Sequence, residues 1–253
     1  MNPPAPGVPG HSPPTTSRRR PLRALAAFLA AICCLALAIA LGTAAHAELA
    51  RKPTSAELSA AAAAAVTSRW RSWPSGRTFP AVIGYTTQLL TQEAARRVGI
   101  ASQTSCPAGL DAALRGLAAR DRCQAVLRAT YVDQLQGVVF TIGVVAFVSH
   151  QEAAGFERGL PRGRSGVTGL RALAFPRTAS AAFDDTARQA STAQWQGPYV
   201  LLTTAGYADG RSASATLQSR GSIFAPAAQL AAGIIAPLTA PAQVDCGSPL
   251  WSC

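Results

Sequence analysis

The chain has 253 residues, 49% hydrophobic and 14% charged, with 23 Lys+Arg against 12 Asp+Glu. That apolar content excludes a wholly disordered chain, and six cysteines are too few for a disulfide-dense miniprotein. The length fits one folded domain with additional segments.

Residues 1–17 contain six prolines and no Lys, Arg, Asp or Glu. Proline fixes φ and removes a donor, so an extended tail is expected there. Arg18, Arg19, Arg20 and Arg23 follow, and residues 24–41 then carry no charged or strongly polar side chain. The apolar run continues to residue 45. A spanning helix needs about 20 mostly apolar residues and satisfies its own backbone hydrogen bonds in hydrocarbon. We therefore expect a cytoplasmic tail over 1–23 and a transmembrane signal-anchor helix over 24–45, whose partner is the lipid bilayer. The positive-inside rule keeps the N-terminus cytoplasmic and the rest outside. The alternative is secretion after cleavage following Ala47, because Ala45-His46-Ala47 resembles a signal-peptidase site. The run is longer than the usual apolar core of a signal peptide, which favours retention. Arg18-Arg19 also resembles a twin-arginine export signal, with Pro21 where an aromatic residue is usual. Cys33 and Cys34 follow Ile32 rather than a small residue, so they read as small hydrophobes and not as lipidation sites.

Residues 46–73 predict an Ala-rich helical spacer. Thr54 and Glu57 form a capping-box pattern before the alanine run 60–65, and Trp70 and Trp73 pack against the domain that follows. Residues 74–253 then form an extracytoplasmic α+β domain. A strand is expected over 79–85 and a helix over 91–98. Leu110, Ala113, Leu114 and Leu117 mark an amphipathic helix over 107–120. Residues 125–132 alternate as a strand and pair through a turn at 134–137 with the apolar run 138–148. Such a run reads as a central strand buried on both faces. Ser149 and Glu152 start a helix reaching about residue 158. A Gly/Arg/Pro loop, a short strand over 170–175 and a helix over 179–189 come next. A strand over 199–207 and a buried C-terminal helix over 223–238 complete the chain. The expected fold is an antiparallel sheet of about four or five strands covered by helices.

Four cysteines remain outside the apolar run: Cys106, Cys123, Cys246 and Cys253. In an oxidising compartment they predict two disulfides with three possible connectivities, and local pairing favours Cys106–Cys123 and Cys246–Cys253. No C-x-x-C spacing occurs, and only His150 among three histidines lies in the folded domain, so neither a metal site nor a cofactor is expected. No Walker A, G-x-G-x-x-G or G-x-S-x-G motif is present. Asp184 and Asp185 are adjacent, and Asp133 and Asp209 lie at strand ends where a site can form. Beyond residue 47 the chain holds 19 basic against 12 acidic side chains, or +7. Outside a cell the matching polyanions are head groups and wall polymers rather than nucleic acid. Arg158, Arg162 and Arg164 form the one dense basic cluster, a candidate for anion binding. The expectation is a membrane-anchored, non-enzymatic sensing, scaffolding or envelope-binding module. The alternatives are a secreted basic binder of anionic wall polymer and a hydrolase with an uncommon acid-based site.

Overall fold

The computed structural model describes residues 20–161, 169–212 and 223–245. The chain divides into two compact units, Met1–Thr54 and Ser55–Cys253.

In the first unit, α1 (Arg20–Ala50) contains an apolar stretch, Ala24–Leu49, of 26 residues. At about 1.5 Å per residue this stretch is about 39 Å long, enough to cross a bilayer core of about 30 Å. Its apolar side chains, among them Leu25, Phe28, Leu29 and Ile32, are exposed within the unit. A helix apolar all round suits a membrane span, and a signal sequence has the same character. Ala45-His46-Ala47 lies inside this helix.

The second unit begins with α2 (Ser55–Ser72), rich in the strongest helix former and without a buried residue. Its C-terminal turns carry Val66 and Trp70, which pack with Trp73 against the core. After the one-turn α3 (Ser75–Thr78) come the strands β1 (Val82–Thr86) and β2 (Gln92–Ile100). Two short helices, α4 (Cys106–Gly109) and α5 (Ala112–Arg120), lead into β3 (Cys123–Val132) and β4 (Val138–Phe147). Then follow α6 (His150–Gly159), β5 (Arg188–Gln196), β6 (Tyr199–Tyr207) and α7 (Pro226–Thr239).

The sheet has the order β1-β2-β3-β4-β6-β5, with every neighbouring pair antiparallel. The chain leaves β4, lays down the edge strand β5, and returns as β6 between them. Alternation along β4 feeds different cores. Phe140, Ile142, Val144 and Ala146 join Tyr131, Leu201 and the α7 residues Leu230, Ile234 and Leu238. Val145 and Phe147 join Val126, Val200, Leu114, Phe156 and Leu170. The continuous apolar run of β4 is therefore buried on both faces, as its sequence predicts. Helix α7 touches both edges of the sheet. Its Gln229 bonds both backbone groups of Thr86 on β1, with Thr86 N–H donating to Oε1 at 2.9 Å and Nε2 donating to Thr86 O at 2.8 Å. On the other edge, Gln194 Nε2 of β5 donates to Ala228 O at 2.6 Å.

Several expectations are corrected. The sheet has six strands, not four or five. The segment expected as a helix over 91–98 is β2, because pairing with β1 and β3 overrides the helical propensity of Glu93-Ala94-Ala95-Arg96-Arg97. The segment expected as a helix over 179–189 is a run of turns, in which Asp184 Oδ1 accepts the N–H groups of Thr186 and Ala187, and its end opens β5. The helix expected over 107–120 is two helices. They part where Leu110 makes a bridge to Leu170. Residues 170–175 form no named strand. They are a strap held by side chains, with Thr130 Oγ1 donating to Leu173 O at 2.6 Å and Thr141 Oγ1 accepting Leu173 N–H at 3.2 Å.

Candidate ligand cleft at one end of the sheet

The β1–β2 and β3–β4 hairpins turn at the same end of the sheet, because the strands between them run antiparallel. The first turn is tied by Thr87 and Thr91, whose backbones bond at 2.9 Å and whose hydroxyls lie 2.6 Å apart. The second is tied by Asp133, whose Oδ1 accepts N–H from Gly137 at 2.7 Å and Val138 at 2.8 Å. Between these hairpins and the start of α7 lies a cleft of about 540 Å³. That is within the range of small-molecule sites, about 300–1,000 Å³.

Its apolar wall comes from Val138 and Phe140 of β4, Ile223 and Pro226 before and at the start of α7, and Leu89 and Leu90 of the first turn. Leu89 is 86% exposed and Leu90 83%; Leu135, on the second turn, is 84% exposed. A buried leucine gains about 1.5–3 kcal/mol over an exposed one, so leaving these three in water forgoes folding energy. Leu90 also has φ 61°, a left-handed conformation that costs a branched L side chain on the order of 1–2 kcal/mol. Strain of this kind gathers where a fold presents a side chain for use.

The polar wall holds Tyr85, Glu93, Asp133 and Gln229. The buried Tyr85 hydroxyl donates to Glu93 Oε2 at 2.7 Å. Burial raises the Tyr85 pKa well above the ordinary tyrosine value, and the hydrogen bond to Glu93 and the charges of Glu93 and Asp133 raise it further. The phenol therefore stays protonated and a donor across the physiological range.

The sequence-predicted residues are distributed otherwise. Cys106 and Cys123 form a disulfide, with Cα atoms 6.4 Å apart, joining the start of α4 to the start of β3. Cys246 and Cys253 lie outside the described residues, as do Arg162 and Arg164. Arg158 is exposed in the last turn of α6. Of the two acids expected at strand ends, Asp133 reaches the cleft, whereas Asp209 takes Arg211 Nε on both oxygens. Asp184 caps its turn. Asp185 binds Arg171 at 3.0 Å and, with Asp111, flanks the largely buried Arg188. These are ties within the fold. His150 is exposed, its ring tilted against that of Trp195 with centroids 4.8 Å apart. Among the described residues no group of three His, Cys, Asp or Glu side chains is gathered to hold a metal ion.

Sequence reasoning missed Tyr85, Phe140, Glu93 and Gln229 as one site, because Phe140 and Gln229 lie far in the chain from the Tyr85–Glu93 pair. The available signal was Leu89-Leu90 in a turn flanked by Thr and Gln, an apolar pair where polar residues are the rule. Comparison with known proteins finds no matching family, no matching curated protein and no matching solved structure.

Proposed function

We propose that this chain is a membrane-anchored, non-enzymatic binding module whose folded unit lies outside the cytoplasm and takes a ligand in the cleft between its hairpins and α7. The cleft carries this reading: apolar side chains left exposed at its mouth surround a few convergent polar groups. The helices α5, α6 and α7 act as covers of the sheet and leave this end open. Helix α1 serves as the anchor, and the arginines before it favour a cytoplasmic N-terminus. A disulfide suits an oxidising compartment.

Intact mass of the native protein from separated membrane and medium fractions tests the anchor, with thiol alkylation before and after reduction. The expected result is a full-length mass in the membrane, with Cys106 and Cys123 labelled only after reduction. Protease added to intact cells should remove the folded unit. A mature chain starting at Glu48 in the medium overturns the anchor, and protection from external protease overturns the orientation.

A further inference from the structure

The cleft has a charge character opposite to that of the chain. Among the described residues its lining includes two carboxylates and no lysine or arginine, in a chain with 23 basic against 12 acidic side chains. Each carboxylate is half committed. Glu93 uses Oε2 to accept the Tyr85 hydroxyl, and Asp133 uses Oδ1 to hold the β3–β4 turn. Glu93 Oε1 and Asp133 Oδ2 accept no hydrogen bond from any described residue. Two uncommitted carboxylate oxygens therefore share a cleft with Phe140, Val138, Leu89, Leu90 and Pro226.

Resting on the binding reading above, we propose that this cleft takes an amphiphilic organic cation, with an ammonium group on Glu93 and Asp133 and a hydrocarbon body along Phe140, Val138 and Leu90. The chemistry selects this class. Charge-assisted hydrogen bonds from an ammonium to carboxylate oxygens are among the strong ones. An anionic amphiphile places like charges together at Glu93 and Asp133, which rejects it. A divalent metal needs several oxygens at one point, and among the described residues no third His, Cys, Asp or Glu side chain joins the two carboxylates.

The full-length chain in phosphatidylcholine nanodiscs, titrated calorimetrically against an empty-disc blank, tests the proposal with three probes of equal chain length: octylammonium, octanol and octanoate. Octylammonium is expected to bind saturably and at least about tenfold more tightly than octanol, with octanoate not binding. Glu93→Gln should erase the preference for the amine, with circular dichroism confirming that the variant folds. Leu90→Gly, at an exposed position, should weaken both octylammonium and octanol. Octanol as tight as octylammonium, or an undiminished preference in Glu93→Gln, overturns the cation assignment while leaving the cleft a ligand site. No saturable binding of any probe overturns the cleft reading as well. A free amine and the ammonium of a membrane aminolipid share this chemistry. Loss of octylammonium binding in phosphatidylethanolamine discs identifies the lipid headgroup as occupant, and unchanged binding identifies a free amine.

Discussion

The Tyr199 hydroxyl sits at the main chain of α2, donating to Val66 O at 2.6 Å and accepting Trp70 N–H at 3.3 Å. Val66 and Trp70 are an i, i+4 pair, so one phenol from β6 contacts both ends of a single helical step. Arg69, on the same turn, caps α7 by donating to the carbonyl oxygens of Pro237 at 3.3 Å, Leu238 at 3.0 Å and Ala240 at 2.5 Å. A helix with no buried residue is thereby fixed to the sheet and to α7 at its C-terminal end.

Tyr199→Phe should therefore cost about 0.5–1.5 kcal/mol, because it removes the hydrogen bonds that tie β6 to the main chain of α2. Hydrogen exchange should localise the loss to residues 66–70. The effect also has a pH signature. Burial pushes the Tyr199 pKa from 10.0 up to about 12. The protonated phenol is the form the fold favours, so its contribution is complete below pH 10 and is lost as pH rises through 10–12. In urea unfolding, wild type should lose more stability across that window than Tyr199→Phe. Parallel curves would remove Tyr199 from the alkaline transition.

The Cys106–Cys123 disulfide closes a loop with a sequence separation of 17. Loop-closure entropy assigns it about 3 kcal/mol. The Cys106→Ser/Cys123→Ser double variant should show a lower unfolding midpoint and a smaller shift on reduction than wild type.

Leu90 holds a left-handed backbone with its side chain at the mouth of the cleft. Glycine adopts that conformation freely. Leu90→Gly should raise stability by about 0.5–1 kcal/mol, read as a higher urea midpoint at unchanged slope, while weakening the cleft's ligand. A loss of stability would mean that the leucine supports the fold rather than the site.

Two glycines give opposite expectations for the same substitution. A Cβ at Gly206 would lie 2.2 Å from the Ala187 carbonyl oxygen, which is backbone and cannot swing away. Gly206→Ala should cost about 1–3 kcal/mol or more. A Cβ at Gly116, exposed on α5, meets nothing within 4 Å. Gly116→Ala should stabilise by up to about 1 kcal/mol. Thermal melts of the two variants should shift in opposite directions.

Features written in contiguous residues were legible in the sequence. The apolar run of α1 needs no distant partner to be helical. The alternation of β3, the continuous apolar β4 and the Asp133–Gly137 turn specify a hairpin locally. Cys106 and Cys123 are close enough in the chain to pair. The apolar stretch of α7 announces its own burial.

What only the tertiary structure decided depends on residues that meet across the chain. Nothing in Gln92–Ile100 or Arg188–Gln196 carries a clear strand pattern, and both became strands because a neighbour offered backbone partners. The strap 170–175 is fixed by the hydroxyls of Thr130 and Thr141, at positions that read simply as strand. The cleft depends on the sheet carrying two hairpin turns to one end and on α7 beginning beside them. Sequence alone specified the elements whose energetics are local, and the tertiary fold decided the rest because hydrogen bonds and cavities require groups that the chain order keeps apart.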